Sequence, residues 1–490
     1  MPRPDPRTAT YLVATVISLS FSYDLLRMPI QVSDSLVELL AVQKSPSVYA
    51  TFVENIGAGA YLRPLRLAQV KALFDLADGH YWLAYRGFHA ALLAIAVLLF
   101  VRVLDVRTWF DFAAGVFALT VLTGHHTFRG TVREAFPINH FLEIVIFCLI
   151  ALDLARSRGG WVIDAVAAAV FVMASLTLES GLLVWVVVVT AWACGMRGIS
   201  TRGAVVVTAL LIAYMGVRFL YLSQGTPGLE ERSAGFLLHT LEPDELQRRF
   251  GANPVWFYAY NVAASVMSVL FAEPQSGVFK TVRAWQAGDV PPRLYVATIS
   301  SAITTMIIFW VAARRLLTGA AKRSLSATRF PGGLRRRFAA ILSTNDQLLV
   351  VFGSVLAANS ILSYAYTKDE IVSVAGAFYA FAAFAAARYS IEYLRQPLPR
   401  VRRVAVCLLL FTAAMMWAFR SAGVHHMLRV EAFKHRNNWA RPVEARYVAP
   451  GSSAEGPDTM LIRQLRYDAL EMRVPNPQLL PRWNDRWWGE

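Results

Sequence analysis

Residues 161–196 read WVIDAVAAAVFVMASLTLESGLLVWVVVVTAWACGM and contain two apolar runs, 161–178 and 181–196. The runs are separated only by Glu179 and Ser180, which leaves room for a tight turn and little else. Each run approaches the length of about 20 residues that a helix needs to cross the hydrocarbon core of a bilayer. The stretch therefore predicts two successive membrane-crossing helices that meet at one face of the membrane.

The same pattern recurs along the chain and predicts an all-α, polytopic transmembrane protein with about eleven spans. The predicted spans are residues 10–30, 82–103, 110–124, 138–155, 161–178, 181–196, 203–222, 295–313, 347–366, 371–388 and 404–422. A further apolar segment, 255–272, is predicted to be re-entrant or to lie at the outer interface, since a crossing there would place a basic run outside. The first apolar run is expected to remain as an anchor, because no small-x-small cleavage site follows it.

The composition of the whole chain is typical of a membrane protein. Of its 490 residues 56% are hydrophobic and 17% charged, and the mean hydropathy is +0.43. A soluble chain this apolar would have too little polar surface to cover its core. The net charge of +15 does not indicate nucleic-acid binding, because the basic residues lie between apolar runs rather than on one soluble face. Cys148, Cys194 and Cys407 lie in apolar runs without metal-ligand spacing and are interpreted as packing residues.

The distribution of Lys and Arg predicts the orientation. With the N-terminus inside and the C-terminus outside, every strongly basic short connection is cytoplasmic, as the positive-inside rule requires, and the acidic stretch 367–370 is outside. The predicted parts are a seven-span module 1–222 with a long first outer loop 31–81, an outer excursion 223–294, four further spans in 295–422 with a basic cytoplasmic loop 314–345, and a polar outer tail 423–490. The basic loop is expected to contact anionic headgroups. No internal repeat of transporter type is apparent.

The first outer loop carries charges that suit chemistry on a phosphate-bearing lipid. Asp34 lies just beyond the first span, and Arg63 lies in a helix predicted over 62–76 along the membrane surface. A carboxylate can take a proton from a hydroxyl group, and a guanidinium can donate two hydrogen bonds to phosphate oxygens. Asp34 is therefore the candidate base and Arg63 a candidate phosphate ligand. The alternative is a solvated loop whose charges only mark the interface.

Further candidates lie near the predicted outer ends of other spans. Arg133 and Arg218 are candidate phosphate ligands, and Glu134 is a candidate second acid. His89 and His125 are candidate substrate contacts, although a histidine in such a place is as often a packing residue. The histidine that follows His125 leaves a divalent metal as an open alternative, but neighbours on a helix point about 100° apart and favour no metal site.

Two acidic side chains within apolar runs need partners. Glu179 has no Lys or Arg adjacent in sequence, and Arg218 is at a comparable depth in the seventh predicted span. Charges inside a membrane are costly and are treated as functional candidates by default. Asp24 and Arg27 lie one turn apart in the first run and are predicted to form a structural pair.

Four short elements occur in a fixed order on the predicted outer side: Asp34, YLRPL at 61–65, YRGFHA at 85–90 and LESG at 178–181. Over residues 10–222 their order and spacing resemble the GT-C class of membrane glycosyltransferases, particularly the protein O-mannosyltransferase-like members. That class often carries two adjacent acids in the first loop, whereas Ser35 follows Asp34 here. It also usually has a lysine where this chain has Leu178.

The resemblance implies transfer of a sugar from a polyprenyl-phosphate donor to a glycan, lipid or protein acceptor, with inversion. An outward-facing site agrees with such a donor, because nucleotide-sugars are not expected outside the cytoplasmic membrane. The expected location is a bacterial cytoplasmic membrane, and the expected partners include membrane lipids and no nucleic acid. No cofactor is certain from the sequence, and a divalent metal stays an open alternative. Two other classes stay open: a lipid or solute transporter or flippase, and a non-catalytic scaffold subunit related to this class.

Overall fold

A computed structural model describes residues 5–57, 61–133, 136–223, 233–235, 240–274, 276–326, 342–448, 456–474, 476 and 487, with backbone only for 316–326. Twenty α-helices and no strand occur in these ranges. The first ten are α1 Pro6–Leu25, α2 Asp34–Lys44, α3 Val48–Glu54, α4 Pro64–Ala77, α5 Tyr81–Leu104, α6 Trp109–Gly124, α7 His126–Arg133, α8 His140–Arg156, α9 Trp161–Thr177 and α10 Leu183–Ala193. The others are α11 Thr201–Met215, α12 Pro243–Phe250, α13 Val255–Phe271, α14 Val278–Gln286, α15 Pro292–Ser326, α16 Thr344–Leu362, α17 Ser373–Leu394, α18 Arg400–Trp439, α19 Glu444–Tyr447 and α20 Pro457–Glu471.

Six helices of the described chain are long and apolar enough to cross a membrane. They are α5, α11 with the π-helical turn Gly216–Tyr221 that continues it, the part of α15 up to Arg315, α16, α17 and α18. The protein is thus all-helical, and its apolar helices fit an integral membrane protein. The count of eleven spans stays a prediction. Helices such as α6 and α9 are apolar but have 16 and 17 residues, or about 24–26 Å of helix against a hydrocarbon core of about 30 Å.

Helix α17 forms the centre of the bundle. Every residue from Ser373 to Ala387 is buried, and the helix packs against α6, α15 and α16. Its many alanines let neighbouring backbones approach closely, as small residues do in membrane helix packing. Larger side chains fill the remaining space: Phe381 stacks on Phe100 at 4.4 Å between ring centroids, and Tyr379 Oη lies 2.9 Å from Thr305 Oγ1.

The apolar segment predicted to be re-entrant or interfacial corresponds to α13. Helices α12 and α13 are bent by 100° at the break between them, as in a broken span or a re-entrant hairpin. Helix α13 packs against α15, α16 and α17, so one of its sides is inside the bundle. The buried Asn261 donates hydrogen bonds to the carbonyls of Ala234 and Tyr364, at 3.3 and 2.8 Å. These bonds tie α13 to the connection between α16 and α17.

A second, smaller core joins the first loop to the C-terminal part of the chain. Buried leucines of α2 pack with the apolar side of α20 and with Trp439 at the end of α18. The Trp439 indole donates a hydrogen bond to the Ile30 carbonyl at 2.7 Å. The last predicted span ends at residue 422, but α18 continues to Trp439. It continues because Val424, Leu428 and Ala432 keep a helical apolar side buried beyond that point.

The predicted structural pair between Asp24 and Arg27 is wrong. The buried Asp24 carboxylate bonds instead to His425 Nδ1 at 2.7 Å and Arg429 Nε at 3.3 Å, both on α18. The Arg27 guanidinium lies over the Tyr23 ring, 3.9 Å from its centroid. The charge inside the first apolar run therefore connects α1 with α18, at a sequence distance that local spacing could not indicate.

Candidate functional site

A cavity of about 410 Å³ brings together three of the predicted site residues, Arg63, Glu179 and Arg218. We name it the Glu179 cavity. Its described lining residues are Tyr61, Arg63, Phe141, Leu178, Glu179, Ser180, Leu182, Met215, Arg218, Phe219, Leu362, Tyr364, Ala365, Tyr366 and Ile371. Most of these side chains are apolar or aromatic, so the three charged groups lie on an otherwise apolar wall.

The turn after α9 positions Glu179. The helix ends at Thr177, Leu178 is extended, and Glu179–Leu182 forms one 3₁₀ turn before α10 begins. Gly181 allows this turn to fold back on α9, because a Cβ at that position would overlap the backbone carbonyl of Ala174. The tight turn predicted between the two apolar runs is therefore present, and it directs Glu179 to the cavity.

Arg63 reaches the cavity from the start of α4. It precedes Pro64, whose ring suits the first turn of a helix. Its Nε donates to Glu179 Oε2 at 2.6 Å, a second guanidinium nitrogen contacts the same oxygen, and the guanidinium lies 3.9 Å from the centroid of the Tyr61 ring. Burial works to lower the pKa of Arg63, but the Glu179 carboxylate outweighs it and raises that pKa above its usual value. Arg63 is therefore a permanent cation.

Arg218 reaches the same carboxylate from the other side. It lies in the π-helical turn at the end of α11, and its side chain is only 4% exposed. Its Nη1 lies 3.4 Å from Glu179 Oε1, and its guanidinium is 5.5 Å from the centroid of the Tyr61 ring. Turns of π-helix occur frequently at functional sites. One carboxylate thus holds two guanidiniums from distant parts of the sequence.

Arg63, Arg218 and Glu179 together carry two positive charges and one negative charge, and hence an excess of one positive charge. Guanidiniums are well suited to phosphate, because their planar N–H groups match its oxygens in pairs. The apolar walls suit a hydrocarbon chain, and Tyr61, Tyr364 and Tyr366 offer aromatic faces and hydroxyls. The Glu179 cavity therefore combines guanidiniums, which can pair with anionic oxygens, with walls that can contact a hydrocarbon chain.

Other predicted site residues lie elsewhere. Asp34 is the exposed first residue of α2 and is not among the described lining residues of the cavity. Helix α2 nevertheless packs against α4, where Glu38 forms an ion pair with Arg66. Arg133 is the half-buried last residue of α7, and Glu134 lies outside the described residues.

The two predicted histidine contacts are inside the bundle. His89 is buried in α5, with Nε2 3.0 Å from Asn139 Nδ2 and Nδ1 3.5 Å from an Arg86 nitrogen. His125 Nδ1 lies 2.8 Å from Thr127 Oγ1, and Nε2 lies 3.0 Å from the Val269 carbonyl oxygen. Neither lines the Glu179 cavity. The described residues contain no group of three His, Cys, Asp or Glu side chains arranged for a metal ion.

The connection between α16 and α17 is the part of the site that the sequence did not indicate. It supplies Tyr364, Tyr366 and Ile371 to the cavity, and its Asp369 and Glu370 are buried against α7. Gly130 of α7 permits that approach, because a Cβ there would be 2.9 Å from the Asp369 Cβ. The acidic stretch 367–370 was recognised in the sequence, but only as an indicator of the outer side of the membrane.

The chain was compared with family models, curated proteins and solved structures, and none of them matches it.

Proposed function

We propose that the protein is a membrane glycosyltransferase that transfers a sugar from a polyprenyl-phosphate donor to an acceptor at the outer face of the membrane. The observation that supports this proposal is the meeting of Arg63 and Arg218 on Glu179, at the apolar wall of a cavity of about 410 Å³. In this proposal the two guanidiniums bind the donor phosphate and stabilise the negative charge that it gains as the sugar leaves.

The dimensions of the cavity agree with such a donor. Small-molecule sites commonly enclose about 300–1,000 Å³, which accommodates a sugar and a phosphate but not a polyprenyl chain. The chain would have to leave along the bilayer. Beside Arg218 and Phe219, the apolar Leu220 and Tyr221 are 82% and 83% exposed, as expected of a surface that faces lipid.

Glu179 acts in this proposal as a positioning residue. It holds both guanidiniums in place before the donor binds, so their ordering does not have to occur during the reaction. Asp34 remains the proposed general base, because it is an exposed carboxylate on the same loop as Arg63. Within the described ranges it forms no ion pair, whereas Glu179 and Glu38 do. The acceptor hydroxyl would give its proton to Asp34 while its oxygen bonds to the anomeric carbon and the phosphate leaves.

The experiment is a transfer assay with the purified full chain and a panel of synthetic polyprenyl-phosphate sugars, each compared with the matching nucleotide-sugar. We expect transfer only from the lipid-linked donors. Arg63→Gln and Arg218→Gln should each lower kcat/KM by about 10- to 100-fold, as expected for the loss of one charged hydrogen bond. Arg66→Gln is the matched control, since Arg66 lies in the first turn of α4, next to Arg63, but does not line the cavity.

Either of two results would overturn the proposal. One is transfer from nucleotide-sugars alone. The other is full activity of both Arg63→Gln and Arg218→Gln. Movement of the lipid across proteoliposomes without transfer from any donor would favour a flippase instead.

A further inference from the structure

The short helix α14 connects the bent pair of α12 and α13 to α15, and none of its nine residues, all of which the structure describes, is buried. It packs against α15, where Thr281 Oγ1 lies 2.8 Å from Thr298 Oγ1. At its start, the Phe279 backbone N–H donates a hydrogen bond to the Glu273 carboxylate. These contacts hold α14 in place and leave most of its side chains uncovered.

The uncovered side of α14 is apolar. Its exposed large apolar side chains are Val278, Phe279, Val282 and Trp285, the last of them 71% exposed. At about 100° per residue, Val278, Val282 and Trp285 lie within about 60° of one another, and Phe279 borders the same side. Lys280 points about 160° away from Val282. An apolar side combined with basic residues beyond its edge is typical of a helix that lies at a membrane surface.

The contact with α15 places this apolar side at the level of a membrane boundary. The apolar part of α15 runs from Pro292 to Arg315, which is 24 residues, or about 36 Å of helix against a hydrocarbon core of about 30 Å. Thr298 is about 9 Å from the start of that part. When the helix is centred on the core, about 3 Å extends beyond each side, so Thr298 lies just inside the hydrocarbon. Side chains that project from α14 away from the bundle at this level meet lipid.

The neighbouring side chains are of the types that occur at such a boundary. Tyr295, in the first turn of α15, is exposed, and tyrosine and tryptophan are enriched where membrane meets water. Arg283 is exposed, and its guanidinium lies 5.7 Å from the centroid of the Phe279 ring, at the edge of the apolar side. An arginine in that place covers apolar surface with its methylenes and extends its charge toward the headgroups.

The charge of α14 is complementary to phospholipid headgroups. Its sequence, VFKTVRAWQ, contains two basic residues and no acidic residue. The paired N–H groups of the Arg283 guanidinium match the oxygens of a phosphodiester.

We propose that α14 is an interfacial helix that binds the phospholipid leaflet at the Pro292 end of α15. Val278, Val282 and Trp285 enter the boundary between headgroups and acyl chains, and Arg283 contacts headgroup phosphates. The position of α14 beside the end of an apolar helix favours lipid over a second copy of the chain as the cover of this surface. The inference does not depend on glycosyl transfer, since it rests on the position and composition of α14.

The test measures the depth of α14 in the full chain reconstituted in phosphatidylcholine vesicles. Val282→Cys is labelled with the fluorophore NBD in a Cys407→Ser background, in which Cys148 and Cys194 are buried. We expect the emission to be quenched by lipids that carry a nitroxide on the acyl chain, at a depth of about 5–10 Å, and to resist quenching by acrylamide in the water. Gln464→Cys, at an exposed position of α20, is the control and should show the opposite behaviour. Trp285→Cys is a second reporter on the same side if Val282→Cys fails to fold.

The headgroup contact is tested with vesicles that also contain phosphatidylglycerol. This anionic lipid should move the label at position 282 deeper. Arg283→Gln should weaken that response, and Arg283→Lys should keep most of it, because the charge is retained. Arg248→Gln, at an exposed position of α12, is the matched control and should respond normally.

Three results would contradict the proposal. Quenching by acrylamide as strong at position 282 as at position 464 would place α14 in water. Protection of position 282 from both quenchers would mean that protein covers it, such as a second copy of the chain. An unchanged response of Arg283→Gln to phosphatidylglycerol would overturn the headgroup contact.

Discussion

At the scale of single residues, Glu179 has the largest effect on the arrangement of the charged groups in the cavity. Its carboxylate forms ion pairs with both Arg63 and Arg218, and it lies between two apolar helices. Removal of its charge would leave two guanidiniums close together with no carboxylate between them. Two guanidiniums without a carboxylate destabilise the fold by more than the original ion pair stabilises it. The reason is that the guanidiniums lose hydration whether or not they are paired.

The first prediction follows from this arrangement. Glu179→Gln should destabilise the folded protein by about 1–3 kcal/mol, since partly buried charged groups lose their partner. Denaturation in detergent, followed by tryptophan fluorescence, measures the change. Glu38→Gln is the matched control, because it removes an ion pair of the first loop without affecting the cavity. Equal stability of Glu179→Gln and the parent protein would mean that the cluster is not a stable unit.

The second prediction concerns Asp34. Asp34→Asn keeps the shape of the side chain but removes its ability to take a proton, so transfer should fall by at least about a hundredfold. Asp34 is exposed at the start of α2, so stability should change by less than about 1 kcal/mol. Rate measurements at saturating donor test this. Near-normal transfer would remove Asp34 from the mechanism. A loss of the same size in Glu134→Gln would mean that two acids share the work.

At the scale of elements, the turn between α9 and α10 determines where Glu179 lies. The third prediction is that Gly181→Ala destabilises the protein by about 1–3 kcal/mol, because the new methyl group overlaps the Ala174 carbonyl and the turn must move. Transfer should fall as well, since Glu179 moves with the turn. Gly353→Ala in α16 is the control, since nothing lies within 4 Å of its added Cβ. A fully active, equally stable Gly181→Ala protein would contradict the close packing.

Sequence periodicity predicted the elements near Glu179 well. The runs 161–178 and 181–196 correspond to α9, the 3₁₀ turn and α10, and the helix predicted over 62–76 is observed as α4 at Pro64–Ala77. The sequence pattern predicted the pairing of charged side chains only in part. Arg218 was a visible partner for Glu179 because both lie at similar depth. The partners of Asp24 are about 400 residues away on α18, where only tertiary packing brings them.

At the scale of the whole molecule, the first loop and the C-terminal part of the chain share one small core. They must therefore lie on the same side of any membrane that the bundle crosses. Positive-inside reasoning independently placed both of them outside. The number of membrane spans is harder to predict from the sequence, because helices of 16 or 17 residues can cross the bilayer, tilt within it or stop inside it.

The fourth prediction tests this arrangement by cysteine labelling in a Cys407→Ser background, since Cys407 is the exposed native cysteine. Glu54→Cys in the first loop and Gln464→Cys in α20 are both at exposed positions. A membrane-impermeant maleimide should label both from the outside of intact cells. Gln396→Cys, between α17 and α18, should be labelled only after permeabilisation. Labelling of residues 54 and 464 from opposite sides would contradict the shared core.

The shared core also constrains the order of events during synthesis. Leu36 of α2 packs in the same cluster as Ile462 of α20, and the ribosome makes these residues more than 400 positions apart. At elongation rates of about 5–20 residues per second, the first loop waits roughly 20–90 s for its partner. During that interval its leucines have cover from Val70 and Phe74 of α4 but lack the part that α20 supplies, so we expect a chaperone or the membrane surface to shield the remainder. If synthesis stalls before α20, we expect a chaperone to recognise the incomplete chain through the exposed leucines of its first loop, although that loop was made first.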